Sequence, residues 1–194
     1  MRSWMIVLVC AAAAMPLMAS AQVIVDTGPG LSLASGTLVD SRQSVAGKFT
    51  LANDATVGSV QGWFEGITPA TVSAAIFSGD NVPETLLYSD TFSRSTNGWQ
   101  GVSGEHWALN AGSYWVVFQS SGQNVMPFGA PNPLPAYAYT RDGNWLREDD
   151  IDAGVRIYGA SPAPEPATWA LMLGGFGVVG GVMRSRRKSA VTFA

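Results

Sequence analysis

Cysteine is almost absent. The single one, Cys10, lies in an apolar N-terminal run, so the body of the chain has no disulfide framework, no thiolate metal site and no cysteine nucleophile. Histidine is equally scarce: His106, in Gly104-Glu105-His106-Trp107, is the only one. Triad chemistry needs a base beside its Ser or Cys, and His106, at the edge of an expected strand, reads as a surface or turn residue. No G-x-S-x-G, H-E-x-x-H or phosphate loop occurs. Positive charge is thin as well. Between residues 22 and 163 six cations (Arg42, Lys48, Arg94, Arg141, Arg147, Arg156) stand against every carboxylate of the chain except Glu165. So acidic a body argues against nucleic acid and anionic lipid as partners, since phosphate binding needs clustered Lys and Arg. Neutral sugars and divalent cations remain compatible. The body also lacks an internal repeat and any apolar 3.6-residue period held over three turns, which leaves no helical core.

What is present begins at the two ends. Arg2 gives a positive start, residues 4–14 are apolar and uncharged, and Ala19-Ser20-Ala21 offers a small-x-small cleavage site. This is the layout of a secretory signal peptide over residues 1–21, with a mature chain starting at Gln22. Near the other end the chain reads Ala163-Pro164-Glu165-Pro166-Ala167-Thr168-Trp169-Ala170, then an uncharged Gly-rich stretch to Met183, then Arg184-Ser185-Arg186-Arg187-Lys188. As a helix, residues 168–183 would be roughly 24 Å long at 1.5 Å per residue, the short edge for a bilayer core of about 30 Å. Trp169 suits one interface, and Arg184 can snorkel at the other. The expectation is a transmembrane helix over 167–183 with a basic cytoplasmic tail over 184–194, the body lying outside the cytoplasm. Gly177 and Gly181 form a G-x-x-x-G that could pack against another helix, although glycine is common in such tails.

This tail resembles the PEP-CTERM sorting tails of Gram-negative bacteria, in the variant written PEP-x-x-W-A, because Trp169 and Ala170 follow the motif at the right distance and Gly175-Phe176-Gly177 falls where that variant has Gly-Phe-Gly. The resemblance implies an exosortase-type processing enzyme as partner, with Pro164, Glu165, Pro166, Trp169 and Ala170 as the sorting signal. It also implies an exported protein with an inner-membrane intermediate before processing, destined for the cell surface or extracellular matrix. Two prolines hold the signal extended and poor in hydrogen bonds, a form that a cleft can grip. Residues 161–166 then form a Pro-rich spacer.

The body, residues 22–160, reads as all-β, a two-sheet jelly-roll-like sandwich of eight or nine short strands. They are expected at 22–25, 44–51 (Val45, Phe49 and Leu51 inward), 56–64 (Val57, Val60, Trp63), 71–77 (Val72, Ala74, Ile76 on one face), 86–92, 98–102, 105–109, 113–119 and 154–158 (Val155 and Ile157 in, Arg156 and Tyr158 out). Tyr114-Trp115-Val116-Val117-Phe118 is apolar on both faces and so central. Residues 120–135 (Pro127, Pro131, Pro133, Pro135) and the acidic stretch 139–152 are expected as long loops. The segments 76–87, 109–115 and 154–159 look like the small sandwich domain often found ahead of PEP-CTERM tails, which implies no particular activity.

Three constellations could carry function. Asp142, Asn144, Asp149, Asp150 and Asp152, with Glu148, supply enough oxygens for a calcium ion, though not at EF-hand spacing; a solvated acidic loop is the plainer reading. Trp145, in Arg141-Asp142-Gly143-Asn144-Trp145, and Trp99, after Asn97-Gly98, could stack on sugar rings, or cap the sandwich. Glu65, Glu84, Glu105 and the Glu148-Asp149-Asp150-x-Asp152 cluster could supply paired carboxylates for glycoside hydrolysis. The expected function is a non-enzymatic, surface-sorted sandwich of the extracellular polysaccharide or biofilm matrix, with no cofactor unless calcium, no catalytic residues and no nucleic-acid partner. The alternatives are a secreted polysaccharide hydrolase and a ligand-free structural or adhesion module.

Overall fold

The computed structural model describes residues 21–66, 69–148, 151–160 and 166–188. Residues 1–20 of the expected signal peptide and the residues Pro164, Glu165, Asp149 and Asp150 lie outside the described residues. The chain forms two compact units, the β-body over residues 21–161 and a second that contains the C-terminal helix.

Short alternating segments become strands wherever one face can be buried. Among the described residues twelve form: β1 (Val23–Asp26), β2 (Ser32–Val39), β3 (Val45–Leu51), β4 (Ala55–Phe64), β5 (Ala70–Ser78), β6 (Thr85–Arg94), β7 (Gly98–Leu109), β8 (Gly112–Ser120), β9 (Asn124–Phe128), β10 (Ala136–Arg141), β11 (Asn144–Glu148) and β12 (Val155–Gly159). All pairings are antiparallel. One sheet runs β1-β12-β4-β7, a second runs β11-β10-β3-β8-β5-β6, and β2 with β9 makes a two-stranded ribbon. From β3 to β8 the chain changes sheet at every step except β5 to β6. That is the winding of a jelly roll. Eight strands (β1, β3–β8, β12) make the roll; β2, β9, β10 and β11 are additions to it.

Val57, Val60, Phe64, Val102, Leu109, Val155 and Ile157 from the first sheet meet Phe49, Val72, Ala74, Ile76, Val116 and Phe118 from the second, all buried. Phe64 links the sheets, with ring centroids 5.4 Å from Phe118 and 6.0 Å from Phe92. Tyr88 stacks on Trp107 at 5.7 Å and 7°, joining β6 to β7 across one side of the roll. A second buried cluster (Ala46, Ala75, Trp115, Val117, Ala136, Ala138) covers the other face of the six-stranded sheet. So β8 is apolar on both faces, as expected, and Trp115 points away from the main core, its Nε1 donating to the Gly79 carbonyl at 3.1 Å.

Some expectations change. Residues 98–109 are one strand, not two, and its register slips against β4 between Val57 and Ser59. A bulge reverses the facing of the residues beyond it, so Phe64 enters the core and Trp63 sits half-buried on the outer face. The two expected loops contain strands: β9 lies inside 120–135, and β11 with the end of β10 inside 139–152. In the second unit the helix runs Pro166–Lys188, beginning on the proline, whose missing N–H costs nothing in a first turn, and continuing past the expected boundary through the basic residues. Among the described residues no helix is long and apolar enough to cross a membrane; Gly174, Gly175, Gly177, Gly180 and Gly181 dilute its hydrophobicity.

Candidate functional site

The four added strands line an open, shallow cleft of about 330 Å³ formed by Thr37 and Leu38 of β2, Gln43 of the β2–β3 turn, Phe128 of β9, Tyr139 of β10, Glu148 of β11, and Gly36 and Ile151. Its walls are fixed by local chemistry. Asp40 Oδ1 accepts hydrogen bonds from the Arg42 and Gln43 amides at 2.7 and 2.8 Å, an Asx-type turn that sets Gln43. Gln43 Nε2 then donates to Thr37 Oγ1 at 3.1 Å. The start of β3 is tied to β10, since the Ser44 amide donates to Thr140 Oγ1 at 2.7 Å. In β10 the alternation puts Ala136 and Ala138 outward and sends Tyr137 and Tyr139 toward the core side. Buried Tyr137 anchors the strand: its hydroxyl accepts from the Leu134 amide at 3.1 Å and donates to the Ala153 carbonyl at 3.0 Å. Burial pushes its pKa up from 10.0 to about 12, against the Leu134 hydrogen bond and with help from Asp152. Two residues on, half-buried Tyr139 packs its inner side on the core and lines the cleft.

The described members of the expected calcium set, Asp142, Asn144 and Asp152, are not gathered into one place. Asp142 and Asn144 are exposed at the tip of the β10–β11 hairpin, Asp142 with φ of 51°. Asn144 pairs with Arg141 while Glu148 pairs with Tyr137, so the strand β11 separates that tip from the Glu148 end. Asp152 is used beyond that end, its Oδ1 accepting from the Gly129 amide at 2.8 Å. Among the described residues no group of three acidic, His or Cys side chains could hold a metal ion. The sequence read 139–152 as one loop, and a hairpin inside it separates the oxygens.

Neither expected sugar platform is a free ring. Trp99 is half-buried; it meets Trp63 edge-on at 5.5 Å and carries the Arg156 guanidinium 4.0 Å above its ring. Arg156 Nε also donates to Asp26 Oδ1 at 3.0 Å. Burial pushes the Asp26 carboxyl upward, but the Arg156 hydrogen bond, the Gly28 amide and the Arg156 charge together hold it below its ordinary pKa. Trp145 is half-buried against the outer cluster with Phe77. Glu65 pairs with Val125 beyond one end of β4, whereas Glu105 lies on β7 opposite the bulge toward the other end. Burial, then the neighbouring Asp90 carboxylate, holds Glu105 above the ordinary carboxylate range. His106 is exposed.

Sequence reasoning did not assemble Thr37, Gln43, Phe128 and Tyr139, because β2 and β9 were not recognised as strands. The Tyr137-x-Tyr139 alternation against Ala136 and Ala138 was the available signal.

The helix in the second unit brings Pro166, Trp169 and Ala170 into consecutive turns. No curated protein matches the chain. The family model of the PEP-CTERM protein-sorting motif matches residues 162–188, the span of that helix and the four residues ahead of it. Over residues 162–188 the chain is thus a PEP-CTERM sorting sequence, which makes it an exported, sorted protein.

Proposed function

We propose that the protein is a non-enzymatic β-sandwich that passes through an inner-membrane intermediate, is processed at its tail by an exosortase-type enzyme, and is retained in the extracellular polysaccharide or biofilm matrix. The sorting motif at residues 162–188 carries the reading. An acidic body suits a neutral partner better than a polyanion. The strands added to the jelly roll offer a cleft that mixes aromatic and hydrogen-bonding side chains, the make-up of a small-ligand site.

Two experiments test it. Replacing Pro164 and Glu165 with Ala should trap the full-length chain in the membrane fraction; unchanged surface delivery would refute sorting through this signal. The purified chain should be retarded in native gels containing neutral polysaccharide and release no reducing sugar. Release that is lost in Glu105→Gln would replace this reading with a hydrolase.

A further inference from the structure

We infer that the glycan is bound in the cleft between the β2–β9 ribbon and the β10–β11 hairpin, and that its ligand is a neutral sugar unit bearing adjacent hydroxyls. The inference rests on the matrix reading and gives it a site. The first argument is architectural. Thr37 and Leu38 lie on β2, Phe128 on β9, Tyr139 on β10 and Glu148 on β11. These are the four strands that the eight-strand roll does not need. The strands that line the cleft are therefore all additions, joined by Gln43 and Ile151 from the connecting segments, whereas Trp99 belongs to the roll itself.

The second argument is chemical. A carboxylate such as Glu148 only accepts, and its two oxygens can take hydrogen bonds from two neighbouring hydroxyls. The Gln43 amide spends one N–H on Thr37 and keeps its carbonyl oxygen and second N–H for a ligand. Thr37 Oγ1 accepts from Gln43, so its own proton is left to donate. With the Tyr139 hydroxyl, these groups offer both donors and acceptors, which is the requirement of a polyol. Phe128, Leu38 and Ile151 supply an apolar surface for the C–H face of a ring. A uronate, sulfate or phosphate would meet Glu148 with no cation among the lining residues. A volume of about 330 Å³ is at the lower end of ligand sites, suited to one ring or a short segment whose ends continue into solvent.

The third argument is preorganisation. The Asp40 turn, the Gln43–Thr37 hydrogen bond and the Tyr137 clamp hold three walls before any ligand arrives. Less side-chain entropy is then lost on binding. The Trp99 face, in contrast, is already covered by Arg156.

The test uses the full chain in non-ionic detergent, run through native gels containing dextran, galactomannan, xylan or alginate. Retardation is expected with at least one of the three neutral polymers and not with alginate. A hydrogen bond to a charged group is worth enough that Glu148→Gln should weaken apparent affinity about tenfold or more, with the melting temperature unchanged. Tyr139→Phe, which removes only the hydroxyl, should also weaken retention and covers the case in which larger changes at this position unfold the domain. Retention that survives Glu148→Gln and Gln43→Ala but is lost in Trp145→Ala or Trp99→Ala would overturn the cleft assignment and leave the matrix reading standing. Retardation by alginate alone would overturn the neutral-ligand assignment. Retardation by no polymer would overturn the inference together with the matrix reading beneath it.

Discussion

Tyr137→Phe should destabilise the β-domain by about 2–3 kcal/mol at pH 8. The phenyl ring still fills the core, so the cost comes from one oxygen. In the wild type that hydroxyl accepts from the Leu134 amide and donates to the Ala153 carbonyl. Removing it strands the Leu134 N–H and leaves the Ala153 carbonyl only the longer bond from Thr27 Oγ1 at 3.4 Å, at a site only 2% exposed, and each unsatisfied buried group costs roughly 1–3 kcal/mol. Two such groups would together cost about 2–6 kcal/mol, and the remaining Thr27 bond with partial relaxation keeps the total near the bottom of that range, about 2–3 kcal/mol. At roughly 3–4 °C per kcal/mol for a chain of this size, the melting temperature falls by about 6–12 °C. The phenol adds a pH signature. Its folded pKa, about 12, is raised above the unfolded value of 10.0, so its contribution is complete below pH 10 and is lost as pH rises toward 12. The gap between wild type and Tyr137→Phe should therefore shrink by about 1.4 kcal/mol at pH 11, one unit above the unfolded pKa. Urea unfolding followed by tryptophan fluorescence at pH 8 and pH 11 measures both. A gap under about 0.5 kcal/mol at pH 8, or one that widens with pH, would refute the clamp.

Three further outcomes rest on the same geometry. Phe64→Ala empties the place where both sheets meet Phe92 and Phe118 and should cost about 3–5 kcal/mol in equilibrium unfolding. Arg156→Gln removes the partner of Asp26 and the cation above Trp99, for about 1 kcal/mol of this partly exposed pair. Because the Asp26 pKa is lowered in the fold, that deficit should be full at pH 7 and narrow as pH falls below about 4, where the unfolded carboxyl takes its proton; a deficit that grows in acid would contradict the pairing. Treating the protein with EDTA should leave its melting temperature unchanged, because Asp142 and Asn144 lie at the far end of β11 from Asp152; a drop that calcium restores would reinstate the ion.

The roll was legible mainly where a strand alternates around a buried face, as Val72, Ala74 and Ile76 do; β8 stood out instead as a run apolar on both faces, and β7 was read as two strands. The four added strands were not legible. In β9 a proline, Pro127, interrupts the pattern, and a strand with a single partner tolerates it. In β11 the polar content of Asn144, Arg147 and Glu148 fits an edge that packs lightly, and edges carry weak periodicity. Trp63 was placed inward with Val57 and Val60 as an apolar residue; beyond the slip at Gly58 and Ser59 the buried positions of β4 are Val60, Gly62 and Phe64, which turns Trp63 outward. Glu148 was noticed only as one carboxylate of an acidic stretch; its place beside Tyr139 and Gln43 depends on long-range pairings that no local pattern announces. The tail was the most legible segment, since a linear signal needs no tertiary context.

The central claim is that the protein is exported and then sorted and processed through this tail. Intact-mass spectrometry of the chain recovered from its native cell surface tests it most directly. The account predicts a chain that starts at Gln22 and ends between residues 164 and 168, without the helix. A surface-recovered chain with the full mass of 20.4 kDa would contradict it.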